Sequence, residues 1–182
     1  MKARAFDPLR LDVAPFAEQG ARLEGRWPLH ELERLAASAH PEAPTGDAPV
    51  AWQAQGEQRA VRGGAPQAWL HLQAQASLQL VCQRCLGPVA AEVQAQRSFL
   101  FVAGEDQAAE LDADSEDDVL ALTRSLDLKE LVEDELLLSL PLVPRHAACP
   151  LPAVVDDPLV DEEKPHPFAA LAALKGRPGG PA

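Results

Sequence analysis

The chain has 182 residues, of which 47% are hydrophobic, so it can bury the core of one domain and carry appendages. Its formal net charge of -12 argues against a large footprint on duplex RNA, because proteins that bind phosphates cluster Lys and Arg. The sequence contains neither a signal-peptide pattern nor an apolar run of the roughly eighteen residues that a membrane helix needs. We therefore expect a cytoplasmic protein that makes no membrane contact and keeps its three cysteines reduced.

The acidic excess lies entirely in the second part of the chain. Residues 1–101 carry ten basic and ten acidic side chains, whereas residues 102–182 carry six and eighteen. Eight of these carboxylates fall in residues 105–118, where few apolar residues interrupt them. Such a block of like charge predicts a solvated loop, which we place at 104–118.

The predicted elements at the start of the chain are short. Alternating apolar residues at 9–13 predict a first strand, and a second strand is expected around Gly25. Residues 28–39 begin with Pro and have apolar residues at helical spacing, which predicts a helix. A third strand is predicted at 50–54.

A long antiparallel hairpin is the strongest pattern in the sequence. Between residues 70 and 80 every even position is apolar and every odd position is polar, which is typical of a strand with one buried face. The alternation returns at residues 89–95, after a turn that contains Cys82 and Cys85. The two cysteines therefore lie between two half-buried strands.

One further helix is predicted before the chain becomes rich in proline. Asp127-Leu-Lys-Glu130 has the form of a capping box, and the helix should run over residues 128–140 and end at Pro141. Together the elements predict an α+β fold, in which an antiparallel sheet with a long hairpin, open or barrel-like, packs against two or three helices.

The domain organisation follows from these elements and from the charge distribution. Residues 1–150 are predicted to form a single α+β domain with the acidic loop at 104–118. Residues 151–182 are predicted to form an acidic linker and a short C-terminal helix.

Four residues form a candidate metal site. Cys82 and Cys85 have the C-x2-C spacing with which a tight turn holds one metal ion through two sulfurs. His146 and Cys149 offer the nitrogen and the sulfur that would complete a closed Cys3His zinc site. Two alternatives remain open: Cys82 and Cys85 form a thiol-disulfide redox pair, or the cysteines are small core residues beside a turn.

The strand context bears on the choice between these alternatives. A redox C-x2-C pair ordinarily begins a helix, whose N-terminus lowers the thiol pKa, whereas Cys82 and Cys85 join two predicted strands. The sequence also lacks a Gly-rich phosphate loop and a nucleophile-base motif. No catalytic residue is therefore assigned, and a non-enzymatic protein is favoured.

Three separated motifs carry a family resemblance. They are VCQRC at 81–85, DLKELVEDELLLSLPLVPRH at 127–146 and PHPFAALAALK at 165–175. In this order they resemble the bacterial YceD family, the large ribosomal RNA subunit accumulation proteins; His166 stands where members often have Asn. The resemblance implies a ribosome-biogenesis factor that supports the synthesis, processing or stability of large-subunit (23S) rRNA, and it brings no enzyme activity or cofactor with it.

Resemblance and charge together suggest the partners. We expect ribosome-assembly or RNA-processing proteins, and large-subunit rRNA contacted directly or through such a partner. The acidic second part of the chain suits a partner with a basic surface. Trp27, Trp52 and Trp69 are expected in the core, because large aromatic residues are mostly buried, although stacking on single-stranded RNA is the alternative.

Overall fold

We describe the protein from a computed structural model. The residues described are 5–43, 47–113, 115 and 117–149. They belong to one unit, which spans Met1–Pro150. The predicted linker and terminal helix at 151–182 lie outside the described residues, so this part of the domain assignment stays a prediction.

The predicted α+β class is confirmed. The elements in chain order are α1 Val13–Glu18, β1 Arg22–Pro28, a 3-10 helix Leu29–Glu31, α2 Glu33–Ala37, β2 Pro49–Arg59, β3 Gln67–Val81, β4 Pro88–Val102, α3 Glu105–Asp112, β5 Asp118–Ala121 and α4 Leu128–Leu138. These strands form one open sheet in the order β1-β2-β3-β4-β5, in which every pair is antiparallel except the parallel pair β4-β5. Among the described residues, no helix is both long and apolar enough to cross a membrane.

The long hairpin consists of β3 and β4, which are 15 residues each. Their antiparallel register runs from Ala68 opposite Phe101 to Val81 opposite Pro88. The even positions of β3 are buried, as the alternation predicted; Leu72, for example, is 1% exposed. Each buried leucine contributes about 1.5–3 kcal/mol of hydrophobic stabilisation. The hairpin is therefore a well-anchored support for the turn at its tip.

Helix α4 covers the buried face of the sheet. The Asp127 carboxylate accepts hydrogen bonds from the backbone N–H groups of Lys129 and Glu130, which caps the helix as predicted. Leu128, Val132 and Leu136 are fully buried in the main core. The helix ends at Leu138, two residues before the predicted end, and the chain then continues into the proline-rich segment.

Two predictions about the start of the chain are wrong in part. Residues 9–13 form no strand: Leu11 makes an isolated bridge with Leu126, and helix α1 follows. In α1, Val13, Phe16 and Ala17 are buried at helical spacing, so packing overrides the short alternation.

The predicted helix at 28–39 is divided into the 3-10 helix and α2, because Leu32 between them has a non-helical backbone. The Glu133 carboxylate of α4 accepts hydrogen bonds from the N–H groups of Arg34 and Leu35 at 2.7 and 3.1 Å. These bonds satisfy two of the free N–H groups at the start of α2. The break in this helix therefore depends on a partner about a hundred residues further along the chain.

The acidic segment also differs from its prediction as a loop at 104–118. It contains helix α3, and β5 begins at Asp118. Glu105 and Asp106 occupy the first turn of α3, where carboxylates interact favourably with the helix dipole. The helix is held by a second, smaller core on the opposite face of the sheet, which consists of Trp69, Leu100, Ala108 and Val119.

The tryptophans lie in the fold, as predicted. Trp52 and Trp69 are buried. Trp27 is half-buried and stacks on Trp52 with ring centroids 4.4 Å apart. The guanidinium of Arg59 lies 4.2 Å from the centroid of Trp69, a cation-π contact. The three rings are thus engaged within the protein.

Candidate metal centre

The turn at residues 82–87, which we call the cysteine turn, connects β3 to β4. The N–H of Cys82 donates to the carbonyl of Gly87 at 2.9 Å, and the N–H of Leu86 donates to the carbonyl of Cys82 at 2.9 Å. Leu86 has a φ of 60°, in the left-handed region that side chains other than glycine rarely adopt. This tight backbone brings the two cysteine sulfurs of the turn close together.

A second segment reaches the cysteine turn from the end of α4. Residues 141–149, here called the proline segment, contain Pro141 and Pro144, which prevent the helix from continuing. The carbonyl of Pro144 accepts a hydrogen bond from the N–H of Gln83 at 2.9 Å. This backbone contact places His146 and Cys149 beside the sulfurs of the turn.

All four predicted ligand residues are brought together. Their ligand atoms lie within 4.8 Å of one another. The Sγ atoms of Cys82 and Cys149 are 3.6 Å apart, and Nδ1 of His146 is 3.4 Å from Sγ of Cys85 and 3.9 Å from Sγ of Cys149. Zn–S bonds of about 2.3 Å and Zn–N bonds of about 2.0 Å in a tetrahedron separate the ligand atoms by roughly 3.5–3.8 Å. These three separations are close to those of a tetrahedral Cys3His site, and metal binding itself stays a prediction.

The imidazole of His146 is oriented in the way that metal ligation requires. Its Nε2 lies 2.9 Å from the carbonyl oxygen of Pro88, which can only accept a hydrogen bond. The proton therefore resides on Nε2, and Nδ1 faces the sulfurs of Cys85 and Cys149. A metal-bound histidine characteristically donates its other ring N–H to such an oxygen, which fixes the tautomer and the ring orientation.

The electrostatics of the sulfurs are unequal. Burial opposes ionisation of Cys82, but backbone N–H groups of Cys85, Arg84 and His146 point at its sulfur and lower its pKa to about 5. Burial raises the pKa of Cys149, and the neighbouring sulfurs of Cys82 and Cys85 raise it further. A divalent cation would relieve this crowding of thiolates, since its charge favours deprotonation of every sulfur that it binds.

His40 supports the cysteine turn from outside the ligand set. The N–H of Glu42 donates to its Nδ1 at 3.1 Å, so Nε2 carries the proton and donates to the carbonyl of Leu86 at 3.1 Å. The backbone N–H of His40 also donates to the carbonyl of Gln79. The role of His40 could not be predicted from the sequence, because His40 shares no sequence motif with the cysteines and only the tertiary fold brings them together.

A second polar cluster lies on the exposed face of the sheet. Nδ1 of His71 is 2.8 Å from Oγ of Ser98, and its Nε2 is 2.6 Å from Oε2 of Glu57. Hydrogen bonds from Arg59, and secondly from His71, lower the pKa of Glu57 to about 2. These contacts connect β2, β3 and β4 side by side, and we assign them a structural role.

The fold and the site together define an α+β protein with a candidate metal centre at the tip of a long hairpin. Residues 70–175, which include all four candidate ligands, match the family model described as large ribosomal RNA subunit accumulation protein YceD. The chain is 32% identical over 177 residues to the protein of that name from Haemophilus influenzae, and the match covers 92% of this chain and 96% of the relative. No solved structure matches the chain. The chain belongs to the YceD family, which confirms the resemblance of the three motifs.

Proposed function

We propose that this chain is a non-enzymatic, cytoplasmic ribosome-biogenesis factor that supports the accumulation of large-subunit (23S) rRNA. The observation that carries the proposal is the similarity to the Haemophilus influenzae relative, which covers nearly the whole of both chains and whose name states this role. In this proposal the protein promotes the synthesis, the processing or the stability of the rRNA, and its partners are ribosome-assembly or RNA-processing proteins.

The ion pairs favour action through a protein partner over extensive direct contact with RNA. Four arginines before residue 101 contact carboxylates of the same chain, so their charge is partly neutralised at the surface. A protein that binds RNA through phosphates needs such side chains for the phosphate oxygens. The pairs are Arg22 with Glu24, Arg34 with Glu133, Arg59 with Glu57 and Arg97 with Glu135.

Deletion of the gene tests the proposal. The ratio of mature 23S to 16S rRNA should fall in the deletion strain, and sucrose gradients should show fewer large subunits relative to small ones. A plasmid copy of the full chain should restore both measurements. An unchanged rRNA ratio together with a normal gradient profile would refute the function.

We also propose that Cys82, Cys85, His146 and Cys149 bind one zinc ion. The separations of the ligand atoms and the Nε2 proton of His146 support this ligand set. Four protein ligands leave no open coordination position, so the ion would have a structural role. It would join the cysteine turn to the proline segment and so fix the end of α4 against the hairpin.

Metal analysis of the purified full chain tests the zinc site. The protein should contain about one zinc per chain, as a closed site implies. Cys85→Ser should lose the metal, whereas Gln83→Ala should keep it, because Gln83 contacts the proline segment through its backbone N–H. Metal-free protein with reversible oxidation of Cys82 and Cys85 would favour the thiol-disulfide alternative, which no finding supports so far.

A further inference from the structure

Large apolar side chains are exposed around the candidate metal centre. Leu142 is 99% exposed, and Leu86 and Val143 are 69% and 53% exposed. Clustered exposure of this kind is unusual unless a surface binds something, because it contributes no burial in the free protein. With two neighbouring arginines, these residues form what we call the hairpin-tip surface: Arg84, Leu86, Leu142, Val143 and Arg145.

Direct contacts hold the two halves of this surface together. Gln83 donates to the carbonyl of Pro144 at 2.9 Å, and Sγ of Cys85 lies 3.4 Å from Nδ1 of His146. In the sequence, Arg84 lies between Gln83 and Cys85, and Arg145 lies between Pro144 and His146. Exposed side chains from the hairpin and from the proline segment therefore share one surface.

The charge of the hairpin-tip surface contrasts with that of the chain. Residues 79–91 and 139–149 contain no Asp or Glu, although the chain has a formal net charge of -12. Arg84 and Arg145 are exposed, and within the part of the chain that the structure describes neither forms an ion pair. The two guanidinium groups thus remain available for carboxylates of a partner.

The backbone of Leu86 provides a further indication. Its φ of 60° is sterically free only for glycine, yet a large apolar side chain occupies this position and is mostly exposed. The His40 imidazole holds the carbonyl of Leu86 at 3.1 Å and so orients the residue. The turn accounts for this backbone conformation but not for the large apolar side chain, which gains little from packing in the free protein and is available for a partner.

We propose that the hairpin-tip surface docks a protein partner through an apolar segment flanked by Asp or Glu. The buried centres of protein interfaces are more apolar than the rest of the surface, contain few carboxylates and are enriched in arginine. Single-stranded RNA fits less well, because two arginines neutralise few phosphates and the surface has no aromatic ring on which bases can stack. The inference rests on the proposed function and deepens it by assigning the surface that recruits the partner.

Site-specific photocrosslinking tests this inference in growing cells that express the full chain. A benzophenone amino acid replaces Leu142, and in the control it replaces Gln75 on the exposed face of the sheet. We expect Leu142 to crosslink to a segment of another protein in which apolar residues are flanked by carboxylates, and Gln75 to give no such adduct. Mass spectrometry of the attached peptide decides the outcome.

A synthetic peptide with the mapped sequence then serves as the probe for binding to the purified full chain. Its Kd should rise at least about tenfold for Leu142→Asp and for Arg84→Glu, as expected of interface anchors. Leu122→Asp, at a comparably apolar site that is 41% exposed elsewhere in the chain, should change the Kd less than about twofold. Equal effects of all three variants would contradict the assignment of the surface.

Other occupants of the surface would overturn the inference. These outcomes are an adduct with RNA, with a second copy of this chain or with residues 151–182, an attached peptide without carboxylates, and no adduct at all. They are distinguishable from failure of the proposed function, since that failure appears as an unchanged rRNA ratio in the deletion strain. A strain with normal rRNA support but no protein adduct at Leu142 rejects only the docking surface.

Discussion

The body of the sheet and the tip of its long hairpin are stabilised by different interactions. In the body, buried residues of β3 pack against α4, and hydrophobic burial is continuous along the strands. At the tip, a few backbone hydrogen bonds and four candidate ligands connect the cysteine turn to the proline segment. We therefore expect the body to fold without a metal, whereas the tip is held by polar contacts that a bound ion would reinforce.

Removing a buried leucine from the body should produce the largest effect. Leu136 is fully buried, and Leu136→Ala should reduce the free energy of unfolding by about 2–5 kcal/mol through lost burial and a residual cavity. Leu138→Ala, two residues further in the same helix and 74% exposed, should cost less than about 0.5 kcal/mol. Urea denaturation of both variants measures the difference, and similar losses would contradict the packing of α4.

Removing the proposed zinc should have a smaller and more local effect. Chelation, or Cys82→Ser, should lower Tm by less than Leu136→Ala does, because the core of the body stays packed. Hydrogen exchange should accelerate in residues 82–87 and 141–149 but not in residues 70–76 of β3. The Gln83→Ala variant serves as the control with an intact ligand set. An unchanged Tm and unchanged exchange at the tip would rule out a metal-dependent connection.

His40→Ala should destabilise the cysteine turn, although His40 is not one of the four candidate ligands. The variant loses the hydrogen bond to the Leu86 carbonyl and leaves that acceptor without its partner, which costs about 1–3 kcal/mol where such a group is buried. Zinc affinity should fall by roughly tenfold, as for other groups that orient a metal site from outside the ligand set. Glu42→Ala is the matched control, because only its backbone N–H contacts His40. Competition with a chromogenic chelator measures the zinc affinities. Equal affinities of the natural chain and of His40→Ala would show that His40 does not support the metal centre.

The smallest effect concerns the pH dependence of the body. The pKa of Glu57 is lowered from 4.5 to about 2, so its ionised form is favoured in the folded state. The resulting stabilisation is fully present above pH 4.5 and is lost as the pH falls towards 2. The difference in urea midpoint between the natural chain and Glu57→Gln should therefore shrink between pH 5 and pH 3. A difference that stays constant would contradict the role of this carboxylate.

Local patterns explain which parts of the fold could be predicted from the sequence. The hairpin was predictable because eleven consecutive positions, 70–80, alternate in polarity, and α4 was predictable because Asp127 caps a strongly apolar segment. Strand β5 was not predicted, since it has 4 residues and pairs in parallel with β4 through a register that only the fold establishes. Helix α3 was missed because its stabilisation comes from Ala108 packing against the second core.

In the candidate site, too, some features follow from local sequence patterns and others only from the fold. The four candidate ligand residues could be named from the sequence, because C-x2-C and H-x2-C spacings are chemical patterns that are visible along the chain. Their mutual distances, the tautomer of His146 and the support from His40 were not predictable, since each depends on backbone atoms from distant segments. Composition gave the overall charge, but the acid-free character of the hairpin-tip surface became clear only when the fold joined its two segments.

The sequence separation of the ligands has a consequence for how the protein is made. Cys85 and His146 are 61 positions apart, and β4, α3, β5 and α4 lie between them. A metal that joined them would close a large loop, and the four ligand atoms reach the positions seen in the fold only when the intervening elements are in place. Cys149 is also the last of the four to be synthesised. We therefore expect stable binding of the ion to be a late step in the folding of each newly synthesised chain.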